Sequence, residues 1–213
     1  MLLHTLQVGM LQTNCYIVGC EETRQAVIID PGGDGQRILG VVRREKLQVR
    51  YVLNTHAHFD HIAANAEVVA ATGAPLALHP AELAILQEGG GARWFGVDIN
   101  PSPAPALELA DGQELVIGHL SLRVLHLPGH SPGGVGFHLP ESQAVFSGDV
   151  LFADGVGRAD LPGGAWAALQ DSVRRVLFGL PEETQVYPGH GPATSIGHEK
   201  RYNPWFGRGE QRV

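Results

Sequence analysis

Short β-branched runs alternate with glycine- and proline-bounded polar breaks along most of the chain. Asn14-Cys15-Tyr16-Ile17-Val18 and Ala26-Val27-Ile28-Ile29 flank a polar stretch holding Glu21, Glu22 and Arg24, which predicts a β-hairpin. Asp30-Pro31-Gly32-Gly33 stops its second strand. From Gln36 to Lys46 the period lengthens: Ile38, Leu39, Val41 and Val42 share one stripe with charged residues around it, the pattern of a surface helix. Val49-Arg50-Tyr51-Val52-Leu53 predicts the next strand and runs straight into the polar segment Asn54 to His61. An alanine-rich helix over Ile62 to Thr72 with Gly73 as its terminator follows. Pro75 to Leu78 reads as a strand and Pro80 to Gln87 as a short helix with proline in its first turn.

From Glu88 to Pro105 the periodicity is lost, with Gly89-Gly90-Gly91 at one end, Pro101, Pro103 and Pro105 at the other, and Trp94 and Phe95 between them. A compact domain keeps so long an irregular stretch for a reason, and here the aromatics either pin a surface loop or cover a site. A second series of strands is predicted at 115–117, 122–127, 135–139 and 144–147, then a helix over Ala165 to Phe178 and a strand at Gln185-Val186-Tyr187. Two sets of short strands, each followed by helix, bury their apolar faces best as two sheets face to face with helices outside, a layered α/β sandwich.

Composition narrows the picture. With 213 residues, 44% of them hydrophobic and 17% charged, the chain is globular, and residues 1–213 are expected to form one domain. No apolar run approaches the ~20 residues of a membrane-spanning helix. The balance of 15 basic against 22 acidic residues, a net charge of −7, with the basic ones scattered, argues against nucleic acid and membrane surfaces as partners. Met1-Leu2-Leu3-His4 lacks the basic start of a secretory signal, so the expected compartment is the cytoplasm. Cys15 and Cys20 are too few for a disulfide framework and read as reduced packing residues. The outlying number is 11 histidines.

Four of the candidate ligands crowd together: His56, His58, Asp60 and His61 lie within six residues at the end of a predicted strand. Alternation along the loop points His56 and His58 one way, while Asp60 and His61 open a helix and face back. Neutral imidazole nitrogens and carboxylate oxygens are ligands for zinc and iron(II), and without a cation such crowding costs repulsion and desolvation. The remaining ligands must come from far along the chain. His130 in Pro128-Gly129-His130, Asp149 in Ser147-Gly148-Asp149 and His190 in Pro188-Gly189-His190 each follow a strand beside glycines that let the backbone turn. His4, His79, His119, His126, His138 and His198 are assigned to ordinary structural roles.

Thr55-His56-Ala57-His58-Phe59-Asp60-His61, with Asp30, His130, Asp149 and His190 in chain order, resembles the metallo-β-lactamase-fold superfamily over nearly the whole chain. Phe146 to Phe152, Gly157 to Gly164 and the tail Gly189 to Pro192 through Glu199-Lys200-Arg201-Tyr202-Asn203-Pro204 are similar to the short glyoxalase II-like (hydroxyacylglutathione hydrolase-like) proteins of bacteria. That resemblance implies a four-layer αββα sandwich of two mixed β-sheets with helices on the outer faces. It implies two divalent metal ions, zinc first, with iron or manganese as alternatives. His56, His58 and His130 would hold one ion, Asp60, His61 and His190 the other, and Asp149 would bridge them. Asp30 would orient a ligand rather than be one.

The implied reaction is hydrolysis of a thioester, S-(2-hydroxyacyl)glutathione or a related acyl thioester, by a metal-bridging hydroxide, with Asp60 as a catalytic proton acceptor as well as a ligand. Long glyoxalase II enzymes carry an extra C-terminal helical region that holds glutathione, and no such separate domain is expected here. The alternative is a mononuclear iron persulfide dioxygenase using His56, His130 and Asp149, and lactone hydrolysis by the same fold is a third reading. Arg158 and Asp160 are expected to form a structural ion pair, and Lys200 and Arg201 remain as local cations.

Overall fold

The computed structural model describes residues 1–206, which divide into two compact units. The first comprises Met1–Leu109 with Glu114–Ser121, and the second comprises Ala110–Gln113 with Leu122 onward.

In the first unit, strands β1 (Leu2–Val8), β2 (Thr13–Gly19), β3 (Gln25–Ile29), β4 (Gln48–Leu53), β5 (Leu76–Leu78) and β6 (Leu107–Glu108) form one mixed sheet in chain order. β1, β2 and β3 pair antiparallel, whereas β3 through β6 pair parallel. The switch follows from connection length. A short turn returns β2 to β3, while helices α1 (Gly35–Arg44) and α3 (Asn65–Thr72) carry the chain back between the parallel strands. Every second residue along these strands, among them Leu6 and Val8, Cys15 and Ile17, Ala26 and Ile28, faces Ile38, Val41 and Val42 of α1 and Val68 of α3 in one core. Strand β7 (Glu114–Ile117) also belongs to this unit.

Two expectations need correction here. Residues 2–8, not read as a strand, form β1; their burial is partial, so the run lacks a clean alternation. The helix over Ile62 to Thr72 is two: α2 (Phe59–Ile62) ends before α3 begins, because the Ala64 N–H donates to the Pro31 carbonyl at 2.9 Å instead of continuing the first helix. A shorter helix, α4 (Leu83–Gln87), follows β5.

The strands of the second unit, β8 (Leu120–His126), β9 (Val135–Leu139), β10 (Ala144–Gly148), β13 (Gln185–Pro188) and β14 (Thr194–Ser195), lie in the order β14-β13-β10-β9-β8. β10 pairs parallel with β13 and antiparallel with β9. A separate two-residue-strand hairpin, β11 (Leu151–Phe152) with β12 (Gly155–Val156), projects after β10. The predicted helix over Ala165 to Phe178 is α5 (Trp166–Asp171) followed by a π turn at Ser172–Val176 and a 3-10 turn, its opening marked by Ser172 Oγ donating to the Pro128 carbonyl at 2.7 Å. Helix α6 (Ile196–Tyr202) closes the unit, capped by Ser195 accepting from the His198 N–H. Leu169, Val173 and Leu177 pack with Val145, Val186, Ile196 and Phe206 in its core. Trp166, Trp205 and Phe206 form an aromatic seam over it, with Arg174 above the Phe206 ring.

Each unit joins a mixed sheet to its own helices, the α/β class expected from the sequence. Among the described residues no helix is long and apolar enough to cross a membrane.

Candidate metal centre

Every candidate ligand sits just past the C-terminal end of a strand, or in the turn that follows it. Asp30 follows β3, His56 to His61 follow β4, His130 follows β8, Asp149 follows β10 and His190 follows β13. A strand end is where regular pairing stops and side chains can converge on a ligand.

In the first unit the four clustered residues and Asp30 are buried together. The ring centroids of His56 and His58 are 4.7 Å apart, edge to face, and those of His56 and His61 are 4.1 Å apart. Asp30 is held at φ +51, a left-handed conformation rare outside glycine but best tolerated by Asn and Asp. Its carboxylate accepts from the Thr55 N–H at 2.7 Å, the Thr55 hydroxyl at 2.7 Å and His61 Nδ1 at 2.9 Å. Because the Thr55 proton is spent on Asp30, its Oγ is an acceptor for His56 Nδ1, 3.0 Å away. In both imidazoles Nδ1 is thus the donor, so that in the neutral ring Nε2 is the ligand atom. Asp60 is oriented by Thr13, whose hydroxyl donates to Oδ2 at 2.9 Å, and that same Oδ2 lies 3.5 Å from His61 Nε2.

The loop backbone is fixed as firmly. The Ala57 N–H donates at 2.8 Å to Glu82, a fully buried carboxylate, and the Phe59 N–H donates to the Gly90 carbonyl at 3.0 Å. Phe95 packs on Phe59 with centroids 5.1 Å apart, so this aromatic pins the 88–105 stretch. Trp94, 60% exposed, lines with Arg93, Val97 and Ile99 a cavity of about 580 Å³ in the same stretch.

In the second unit Asp149 lies between two imidazoles, its Oδ2 3.7 Å from His130 Nε2 and 3.6 Å from His190 Nε2. His130 Nδ1 donates to the Arg158 carbonyl at 2.8 Å, which again leaves Nε2 as the ligand atom. Phe152 flanks His190 edge on. The Arg158 side chain turns away to grip Asp160 through two bonds of 2.7 and 2.8 Å, and that bond holds the Asp160 carboxyl down at about 2. Both partners are exposed, so the pair contributes little stability.

The donor set fits a divalent ion. Imidazoles that donate from Nδ1, and carboxylates oriented by hydroxyl or imidazole groups, are a zinc or iron(II) ligand set with its outer partners in place. The profile of the Metallo-beta-lactamase superfamily matches residues 8–190. The chain belongs to that superfamily. Within it, this metallo-β-lactamase-fold chain is 44% identical to TTHA1623, solved in a di-iron-bound form, with a TM-score of 0.88 over 95% of this chain and 100% of that one. It is 38% identical to the BLEG-1 B3 metallo-beta-lactamase, with a TM-score of 0.91 over 96% and 99% of the two chains. It is 34% identical to hydroxyacylglutathione hydrolase GloC of Haemophilus influenzae over 94% of this chain and 96% of the relative's length. Divalent metal binding is a property of the superfamily, and this member carries the histidine-rich sites for it.

Thr13, Thr55, Glu82 and the Arg158 carbonyl were not singled out from the sequence. Only Thr55, adjoining the histidine run, carries a local signal; the others act across 25 or more residues or through the main chain. Of the histidines assigned to structural roles, His79 accepts from the Ala81 N–H at a helix start, and burial, then the Arg123 charge, lowers the pKa of His138 on β9.

The geometry at Asp30 yields a prediction. Asp30→Asn keeps size but offers His61 Nδ1 and the Thr55 donors an uncharged, partly donating group. Metal affinity is expected to fall about 10–100-fold, measured by chelator competition on folded protein.

Proposed function

We propose that this chain is a hydrolase of acyl thioesters, with S-(2-hydroxyacyl)glutathione as the leading substrate class, acting in the cytoplasm with two divalent ions. His56, His58 and His130 would hold one ion, Asp60, His61 and His190 the other, with Asp149 shared between them. The observation that carries this reading is the single Asp149 oxygen shared between His130 Nε2 and His190 Nε2, each on a different strand end. One carboxylate set between two imidazole ligands suits a pair of ions better than a single one. The substrate class is supported by the near end-to-end likeness to the hydroxyacylglutathione hydrolase of H. influenzae.

Two such ions, when bound, lower the pKa of a shared water towards ~7 and so supply hydroxide at neutral pH. Asp60, oriented by the Thr13 hydroxyl, would accept the proton that this water gives up in becoming hydroxide. Asp30, Thr55 and the Arg158 carbonyl keep the imidazoles in the tautomer that leaves Nε2 basic. A thiol leaving group, with a pKa near ~8.5, departs with little protonation, so the chain needs no separate general acid for a thioester.

The test measures three things on protein purified without added metal: elemental metal content, S-lactoylglutathione hydrolysis, and oxygen uptake with glutathione persulfide. About two ions per chain with thioester cleavage is the expected result. A single iron with oxygen uptake would overturn it in favour of a persulfide dioxygenase.

A further inference from the structure

All three candidate ligands of the second unit lean on the β11–β12 hairpin or the residues flanking it. Asp149 precedes β11 by two residues, and a Cβ on Gly157, just after β12, would lie 1.7 Å from the Asp149 carbonyl oxygen. The next carbonyl, that of Arg158, seats His130 Nδ1, and Phe152 of β11 flanks His190. A hairpin with two-residue strands has too few pairings to hold its own position. Something else must fix it.

That role falls to one face of α6. Glu199, fully buried, accepts from the Asp154 N–H at the hairpin tip through both oxygens, at 3.3 and 3.2 Å. Asn203, one turn further, donates to Glu199 at 2.7 Å and to the Gly155 carbonyl at 3.0 Å. Thr194 supplies the remaining donor to Glu199, at 2.6 Å. Asp154 sits at φ +54, a conformation uncommon for a non-glycine residue, and its side chain accepts from His198 Nε2 at 2.7 Å. Burying a carboxylate is costly unless hydrogen bonds offset it, and two of the residues engaged here sit on the hairpin tip.

We propose that Glu199 and Asn203 are positioning residues for the metal centre: they clamp the 151–156 hairpin, and through it fix the Asp149 carboxylate and the tautomer of His130. The proposal rests on the metal-centre reading above but not on the substrate. Asp154, His198 and Glu199 offer ligand atoms within 4.8 Å of one another, yet their hydrogen bonds to each other and to Thr194 and Asn203 make them a structural network rather than a further cation site.

The test uses Glu199→Gln, which keeps the volume but turns an amide donor towards Asp154 or Asn203, and Asn203→Ala, which removes the Gly155 bond and keeps the buried carboxylate. Thr194→Val is the control, touching Glu199 but not the hairpin. Chelator competition should show metal held about 10-fold or more weakly in the first two and unchanged in the control. In metal-free protein, imidazole nitrogen spectra should show the His130 Nδ1–H tautomer fixed in the wild type and averaged in Glu199→Gln and Asn203→Ala. Lowered melting temperatures with unchanged metal affinity and unchanged His130 signals would overturn the proposal, leaving a purely structural network. If Glu199→Gln does not fold, Asn203→Ala decides alone. A wild-type chain that bound no metal would remove the metal-centre reading, and the His130 spectra would still decide whether the clamp reaches that imidazole.

Discussion

Asp149→Asn is expected to cost at least about 10³-fold in thioester turnover, equivalent to about 4 kcal/mol of transition-state stabilisation. The substitution is close to isosteric, so the strand end it occupies should remain folded. What changes is charge and ligand character. One anionic oxygen now lies within 4 Å of both His130 Nε2 and His190 Nε2. An amide oxygen in its place is a weak neutral ligand, and the amide nitrogen is none. Metal content should fall below two ions per chain together with activity, with far-ultraviolet circular dichroism unchanged. A variant that kept two ions and turned over within tenfold of the wild type would refute the bridging role.

The largest expected effect on stability comes from a residue with no chemistry of its own. A Cβ on Gly32 would lie 1.6 Å from the Asp60 carbonyl oxygen and 3.3 Å from Thr13 Cβ. The obstructing atom is backbone, in α2, so no rotamer change relieves it. Gly32→Ala must push the turn after β3 away from α2, and Pro31 beside it already accepts the Ala64 N–H that separates α2 from α3. A loss of about 3 kcal/mol or more is expected in urea denaturation, at the upper end for a small-to-large change. Because Asp60 and the Thr13 that orients it both border the clash, metal affinity should fall even under conditions where the variant is fully folded.

Much of this architecture is legible from local pattern. β2 and β3 announce themselves as β-branched runs around a polar turn, and α1 by its stripe of Ile38, Leu39, Val41 and Val42. The misread segments are those where a distant hydrogen bond overrides local preference. Nothing in the alanine-rich run after Ile62 signals that the Ala64 N–H belongs to Pro31, and nothing around Ser172 signals that its hydroxyl belongs to Pro128. β11, β12 and β14 are two residues each, too short for any period to register. The same division runs through the site. His56, His58, Asp60 and His61 stand out by crowding, and His130, Asp149 and His190 by their place after strands. Thr13, Glu82 and the Arg158 carbonyl emerge only when the chain is folded, since their roles lie in what they touch.

The aromatic seam beside α6 gives the protein a built-in optical gauge. The chain has three tryptophans, and two of them, Trp166 and Trp205, meet with centroids 5.6 Å apart while Trp166 stacks on Phe206 at 6.0 Å. The third, Trp94, stands in solvent at the edge of its own cavity. Emission from the first pair reports whether the segment following α6 is seated, and emission from Trp94 reports on whatever enters the 88–105 region. Replacing Trp94 by Phe, or Trp166 and Trp205 together, would separate the two signals without attaching a dye.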